Sequence, residues 1–478
     1  MRWACILLPH LALDGVLRGR IAADAAMPER IAPLVLVTGP AQRRVLHAVD
    51  PAARKLGLHP GMPLVAAQAL SQAFVTVEYD PAAQLRWQRF LAAWAYRFTS
   101  RVALYGRQAL VLEVQGSHGL FGPWPVFERR LRDELDQLGF RHRIVAAPHP
   151  AAARALANLH DGLAVEGETG LRHALGQLPV SRAGFAADVA EAFARMGLRS
   201  LRQVLALPRE SVARRFPPPV LQHLDHLLGR QAPVLEDYRP PDRFDARVEL
   251  GYEVESSQAL LFPLRRLTSD LGAYLAGRDG GVQRFVLRLE HEGHADTAVT
   301  VGLLSAEREP ALLFELARGR LEQAAVPAPV RALRLCANHL PPFVPAHREL
   351  FDPRPQQAMP WERLRERLRA RLGDAAVHGL QVHEDHRPEQ AWRGETATGK
   401  PQGRGTVPPR PGWLLPSPVP LHGVARIGPG PERIETGWWD GGDVRRDYYV
   451  VETRAGQRAW AFRPAGTASD FMLHGWFA

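Results

Sequence analysis

At 478 residues the chain is too long for one compact core, so roughly two to four domains are expected. Lys and Arg number 60 against 50 Asp and Glu, a formal net charge of +10 with a sequence pI near 10.2. That balance points to an anionic partner, nucleic acid before a membrane surface, although an arginine-rich composition bias produces the same number. Only Cys5 and Cys336 are present, which excludes a disulfide framework and a cysteine-built zinc site. No signal pattern opens the chain and no run approaches the roughly 18 apolar residues of a membrane span, so a cytoplasmic protein is expected, with no membrane partner.

The first apolar run, residues 4–8, stops at Pro9 and reads as a strand. A helix over 14–26, strands at 34–37 and 44–49, and a helix over 52–56 follow, the last opened by Asp50-Pro51 and ended by Gly57. Gly61-Met62-Pro63 opens a helix over 64–70, and a long helical segment over 87–103 leads to a second apolar strand, 110–114, punctuated by Gly116-Ser117. These two short apolar runs read as neighbouring central strands of one sheet. A helix over 126–138, a strand over 143–147 and a helix over 151–159 complete an α/β domain assigned to residues 1–170.

Over 171–238 the β signal vanishes. Helices over 186–196 and 201–206 are joined by the turn Gly197-Leu198-Arg199-Ser200, followed by short helices around Val212 and over 221–228. Two short helices around a glycine turn resemble a helix-hairpin-helix. Backbone N–H groups at the second helix start could hold a phosphate there, with Arg199 and Ser200 adding to it. An ordinary helical hairpin satisfies the same pattern.

Arg239-Pro240-Pro241-Asp242 is a linker by composition. In 239–340, strands over 244–252, 283–291, 298–304 and 330–337 and helices over 260–275 and 311–323 predict a small α+β domain with a four-stranded sheet. Arg265, Arg266, Arg278, Arg284, Arg288 and Arg334 give it a basic tone. Residues 341–360 form a proline-punctuated linker containing Leu350-Phe351. Residues 361–478 are read as one C-terminal region, with a helix whose stripe Trp361, Leu364, Leu368 and Leu372 opposes a run of arginines. Residues 394–412 have a flexible composition, and an aromatic-rich β finish turns at Ala455-Gly456.

Two-metal nucleotidyl transfer needs carboxylates on adjacent central strands, because Mg²⁺ takes hard oxygen ligands. The acids near the two strands are Asp14, Asp50, Glu78, Asp80 and Glu113. Asp14 and Asp50 read as helix starts, and Glu113 lacks an acidic neighbour at 108 or 109. His378, His383 and His386 with Glu384 and Asp385 read as a polar loop rather than a zinc site. Neither common phosphate-binding glycine loop is present. Leu350-Phe351 offers two large apolar anchors for a partner's pocket, or packs on its own domain. Trp438, Trp439, Tyr448 and Tyr449 could stack on bases, form a protein-binding face or fill a small β core.

Ala53-Arg54, Gly57 and Gly61-Met62, in that order, make the segment 44–64 resemble the palm–fingers segment of Y-family translesion DNA polymerases. The order of units agrees: palm and fingers, helix-hairpin-helix thumb, then the small α+β little-finger domain. The resemblance covers residues 1 to about 340. It puts Leu7 where the family carries a metal-binding Asp on the first strand, and Gln108 and Ala109 where it carries an adjacent Asp-Glu. The family's triphosphate-contacting Tyr falls on Pro51, while Arg54 and Lys55 remain. Residues 433–453 and the ending Leu473-His474-Gly475-Trp476-Phe477-Ala478 resemble the ImuB family of bacterial damage-induced mutagenesis cassettes.

That resemblance implies a non-catalytic polymerase-like protein without metal or cofactor. Its implied partners are DNA, the sliding clamp, an ImuA-type accessory protein and an error-prone C-family DNA polymerase. The family's clamp motif, typically Gln-Leu-Asp/Ser-Leu-Phe, falls on His347-Arg348-Glu349-Leu350-Phe351, where only the two apolar anchors match. Gly197, Arg199, Ser200, Arg284 and Arg288 are the expected DNA contacts, and Trp438, Trp439, Tyr448 and Tyr449 the expected partner contacts. The alternatives are an active, divergent translesion polymerase with relocated metal ligands, and a stand-alone lesion-binding protein.

Overall fold

The computed structural model describes residues 2–23, 32–343, 361–373, 376–377, 379–383, 385–395 and 410–477. Through residue 156 the elements are β1 (Trp3–Leu7), α1 (Leu11–Ala23), β2 (Leu34–Thr38), β3 (Val45–Val49), α2 (Pro51–Lys55), α3 (Leu64–Leu70), β4 (Val75–Glu78), α4 (Pro81–Ala95), β5 (Val102–Tyr105), β6 (Ala109–Glu113), α5 (His118–Phe121), α6 (Trp124–Leu138), β7 (Arg143–Ala147) and α7 (Pro150–Leu156). The two apolar runs are neighbours, as their patterning predicts. β1 and β6 pair antiparallel at the centre of a sheet ordered β5-β6-β1-β7, with Trp3 opposite Glu113 and Leu7 opposite Ala109. Ala4, Ile6 and Leu8 point into a core shared with α4 and α6, while Cys5 and Leu7 point into a second core with α7. Burial on both faces is why these strands read as continuous apolar runs rather than alternating ones.

Two strands of this region departed from expectation. The helix predicted over 87–103 runs from Pro81 to Ala95, because Asp80 caps it by accepting from the Ala82 N–H at 2.7 Å. The chain then breaks at Thr99-Ser100 and enters β5. Buried Gln88 on α4 donates to the carbonyls of Gly106 and Ala109, both at 2.9 Å, and so fixes the β5–β6 turn. β4 pairs parallel to β2 in a separate sheet ordered β3-β2-β4. Asp50 caps α2 as expected, accepting from the N–H groups of Ala53 at 2.6 Å and Leu34 at 2.9 Å.

The helices α8 (Gly167–Gly176), α9 (Ala187–Arg195), α10 (Leu201–Leu205), α11 (Arg209–Arg215) and α12 (Pro218–Leu227) follow. Leu171, Leu175, Phe193, Leu201 and Leu224 extend the core that lies behind β1 and α7. Next come β8 (Phe244–Val254), α13 (Leu261–Gly277), β9 (Val282–His291), β10 (Thr297–Glu307), α14 (Pro310–Gln323) and β11 (Val330–Ala337). Their strands form the expected four-stranded antiparallel sheet, ordered β10-β9-β11-β8.

This sheet and the first are not separate bodies. Leu264 and Leu271 of α13, Leu287 and Leu333 share one continuous core with Ile6, Trp94 and Leu131. A side chain at Gly277 would run into the Ala93 carbonyl oxygen, so α13 and α4 meet backbone to backbone there. Across the same seam Arg18 of α1 donates to the Asp270 carboxylate of α13 at 2.6 Å, both side chains out of reach of solvent.

The chain divides into two compact units, residues 1–371 and 372–478. The helix α15 (Trp361–Leu372) therefore groups almost wholly with the first unit, although the sequence reading joined it to the C-terminal region. Its contacts explain this. Glu366 accepts from the Leu304 N–H at 2.5 Å, Arg367 pairs with Glu315 at 2.5 Å, and buried Ala370 lies against Gly319. The predicted apolar stripe is not the packed face: Trp361, Leu364 and Leu372 are exposed.

The second unit holds a hairpin, β12 (Gly379–Val382) with β13 (Trp392–Glu395), and six further strands: β14 (Trp413–Leu421), β15 (Val424–Ile427), β16 (Glu432–Thr436), β17 (Val444–Thr453), β18 (Arg458–Pro464) and β19 (Phe471–Trp476). They make one sheet ordered β14-β19-β18-β17-β15, with β16 also on β17. Tyr448, Trp460, Phe462 and Ile434 fill one face, and Val451, Ala461, Phe471 and Leu473 fill the other.

Candidate functional site

Leu7 and Ala109 face each other across β1 and β6, and Gln108 immediately precedes them, its carbonyl accepting from the Leu8 N–H at 2.7 Å. Leu7 is 5% exposed and Ala109 fully buried, so neither position presents an oxygen or a path for one. The acids singled out in the sequence are engaged elsewhere. Asp14 takes the Arg141 Nε at 2.7 Å and the Arg141 backbone N–H at 3.0 Å. Asp50 and Asp80 cap helices, Glu78 pairs with Arg44 at 3.5 Å, and Glu113 accepts from the Gln115 N–H at the far end of β6. Among the described residues no group of three or more His, Cys, Asp or Glu is placed to hold a metal ion. The donor set does not fit a pair of Mg²⁺ ions, which need carboxylate oxygens.

Cations stand around this end of the sheet instead. Burial, followed by the charges of Arg141, Arg54 and Arg143, pulls His10 down to about 4. Arg143 sits opposite Leu7 in the β1–β7 register and donates to the Asn158 carbonyl at 3.1 Å. On the Cys5 side, burial pushes the thiol up to about 12 while Arg154 opposes it. A cavity of about 180 Å³ opens there, lined by Tyr105, Arg154, Asn158 and His223 among others. Such a cluster favours anions over cations. His10, Arg141, Arg143 and Arg154 were not singled out in the sequence; only Arg143, one strand over from Leu7, left a readable trace.

His10 has a measurable consequence. Its folded value lies below its unfolded one, so the unfolded chain takes the proton first as pH falls. The stability it contributes is complete above about pH 6.5 and is lost as pH falls toward about 4. Urea midpoints of the full chain are expected to drop across that window, and His10→Gln to flatten part of the slope. A midpoint that rises on acidification would contradict this.

The turn at Gly197, with φ of 78°, leads into α10 as expected. Its N–H groups, however, are taken within the protein. Gln203 Oε1 accepts from Arg199 at 2.8 Å and Ser200 at 3.1 Å, and the Leu201 N–H donates to the Leu178 carbonyl at 2.8 Å. The backbone cradle expected for a phosphate is therefore occupied, and what this turn offers is the exposed Arg199 side chain.

On the four-stranded sheet, α13 and α14 contribute to the core on one side, and the other side is exposed at Asp245, Arg247, Arg284 and Arg288. Arg247 pairs with Glu290 at 2.8 Å, and Arg334 forms a fork with Asp245 at 2.7 and 2.5 Å. Arg266 and Arg278 are tied into the protein, by Asp270 and by the carbonyls of Pro240 and Pro241, and Arg265 lies over Phe314. Of the six arginines noted in the sequence, Arg265, Arg284 and Arg288 have no carboxylate partner among the described residues, and with Arg265 over Phe314 the free pair is Arg284 and Arg288. They lie on one strand and one face, four residues apart, about 13 Å at strand rise.

The four aromatic candidates separate. Trp438 and Trp439 are 76% and 60% exposed. Tyr448 is buried, stacked on Trp460 at 4.1 Å and hydrogen-bonded through its hydroxyl to His474 at 2.7 Å. Tyr449, on the opposite face, packs edge-on against Phe471. Only the tryptophan pair offers a broad surface. Asp385 is held by Arg387, which also reaches Asp440 at 2.5 Å, so the histidine-rich stretch includes a structural ion pair. His378 and Glu384 lie outside the described residues, as does the motif 347–351 with Leu350 and Phe351. No described helix is long and apolar enough to cross a membrane.

The impB/mucB/samB family model matches residues 22–158. Protein ImuB of Caulobacter vibrioides strain NA1000 / CB15N is 28% identical over 458 residues, covering 88% of this chain and 100% of that protein, and the same protein of strain ATCC 19089 / CIP 103742 / CB 15 matches equally. Among solved structures, an insertion ternary complex of Dbh DNA polymerase covers 71% of this chain and 99% of that one at 15% identity with a TM-score of 0.41. DinB from Sulfolobus solfataricus covers the same shares at 14% identity with a TM-score of 0.40. The chain is a homologue of ImuB, with an impB/mucB/samB region at residues 22–158 and a mixed α/β fold of several sheets.

Proposed function

We propose that the chain is a non-catalytic, polymerase-like scaffold for error-prone translesion DNA synthesis and damage repair. It holds DNA, engages the sliding clamp through 347–351, and recruits an ImuA-type protein and an error-prone C-family polymerase. The observation that carries the reading is the apolar pair Leu7 and Ala109, facing each other where two-metal chemistry would need carboxylates. Likeness to ImuB over most of the chain supports the choice of partners, and the exposed Trp438-Trp439 pair supports a docking role for the C-terminal region.

Primer extension on a primed template with Mg²⁺ and then Mn²⁺ tests the first claim. A highly purified preparation that binds the DNA is expected to add no nucleotide. Template-directed addition that survives purification would make the protein an enzyme.

DNA is held mainly by phosphate contacts, with Arg284 and Arg288 on the open sheet face supplying two of them. Arg284→Ala with Arg288→Ala is expected to weaken duplex binding and to reduce the slope of log affinity against log salt by about 1.8, since each released phosphate contact contributes about 0.9. An unchanged slope would remove both residues from the interface.

A further inference from the structure

A groove of about 320 Å³ lies among α8, α10, α11 and α12, at the small end of the range for binding pockets. Its floor is apolar: Val212 and Leu224 are buried, while Leu221 and Leu228 keep part of their side chains in solvent. Its rim is cationic, with Arg172 on α8, Arg202 on α10, Arg209 on α11 and Arg230 beyond α12. Two of these arginines already hold a carboxylate of the chain itself. Asp225 takes both Nη groups of Arg209 at 2.6 Å and stands 3.8 Å from Arg230, and the Arg209 fork holds its carboxyl below the usual range. Arg172 and Arg202 are exposed and have no carboxylate partner among the described residues.

The two halves of this surface ask for different things. A phosphate backbone would satisfy the arginines and leave the leucines wet, whereas an apolar helix would cover the leucines and strand the arginines. An acidic segment carrying large apolar side chains satisfies both, because its apolar side chains enter the groove while its carboxylates answer the rim. We propose that this groove docks a short acidic amphipathic peptide segment of a protein partner, its carboxylates on Arg172 and Arg202 and its apolar side chains against Leu221 and Leu228. Asp225 is the template for the charged contact. The proposal goes beyond the scaffold reading and stands whether or not the chain polymerises DNA.

The test is fluorescence anisotropy on the full chain. The probe is a labelled peptide of about 14 residues, with Leu at helical i, i+3 and i+4 spacing and Glu elsewhere. The peptide is expected to bind. Arg172→Glu with Arg202→Glu is expected to weaken it at least about tenfold, since close charge pairs couple by about 1.5 kcal/mol or more. Both arginines are exposed, so the unfolding midpoint of the double variant should match the parent chain. The same peptide with Ser for Leu, or with Lys for Glu, is expected to lose binding, a control that needs no protein variant. Equal binding of the Ser peptide would overturn the proposal by reducing the site to charge alone. Absence of binding by the Glu/Leu peptide would overturn it too. So would displacement of the peptide by duplex DNA together with an equal loss of DNA affinity in the double variant, which would make the groove a phosphate site.

Discussion

Asp270→Ala is expected to destabilise the first unit by about 3–5 kcal/mol, the usual cost of leaving one buried charge without its partner. Asp270 is 2% exposed on its side chain and Arg18 5%, and their 2.6 Å contact joins α1 to α13. Arg18 is boxed in by the rings of Trp87 and Phe140, 4.6 and 4.3 Å from the guanidinium carbon, so it cannot swing out to water when its carboxylate is removed. Burial already holds the guanidinium down to about 10 against the pull of Asp270. Arg266, 3.5 Å from the same carboxylate, would lose its one carboxylate contact and keep its bonds to the Gln137 and Leu138 carbonyls. The double change Arg18→Met with Asp270→Leu should recover most of the loss, because an apolar pair of similar volume carries no desolvation cost. Urea unfolding of the full chain measures all of these. A loss under about 1 kcal/mol for Asp270→Ala would mean that water reaches the pair and that the seam is looser than its packing implies.

What the sequence made legible was whatever rested on local pattern. The pairing of β1 with β6 came from two apolar runs of strand length, each stopped by a breaker, and the four-stranded sheet came from alternation. β5 was lost because Val102, Ala103 and Leu104 continue the apolar content of α4, and the break at Thr99-Ser100 is short. Local pattern also held two signals that went unread. Ser200 and Gln203 have the S-x-x-Q spacing of a capping box, the arrangement that consumes the N–H groups expected to hold phosphate. Tyr448 and Tyr449 are adjacent on a strand, so the period of two must send them to opposite faces. The reversed face of α15 could not be read, because buried Glu366 accepts from the Leu304 N–H, sixty-two residues away in the chain. Arg18 and Asp270 are likewise joined across 252 residues. Positions 7, 108 and 109 drew notice only through family resemblance; composition and periodicity show apolar strands and nothing more.

Placing an acid pair as Gln108→Asp with Ala109→Glu is expected to cost about 4 kcal/mol or more and to yield no polymerisation. The two halves of the change are unequal. Gln108 is only half-buried, so Asp there is tolerated. Ala109 is fully buried and faces the core that contains Cys5, Val111, Val145 and Leu156. A glutamate there overpacks the site, at about 1–3 kcal/mol. It also takes a carboxylate out of water opposite Leu7, a further several kcal/mol unless a cation reaches it. Arg143, the nearest cation by register, already serves the Asn158 carbonyl. Urea midpoints of the two single variants and the double separate these contributions, and primer extension reads the chemistry. If Leu7→Asp combined with the acid pair folded at an unchanged midpoint and extended a primer, the site would be a working palm that lacks only its ligands. The expected collapse of Ala109→Glu, with Gln108→Asp intact, would mean that the packing behind the strands has closed over the positions where metal chemistry would stand.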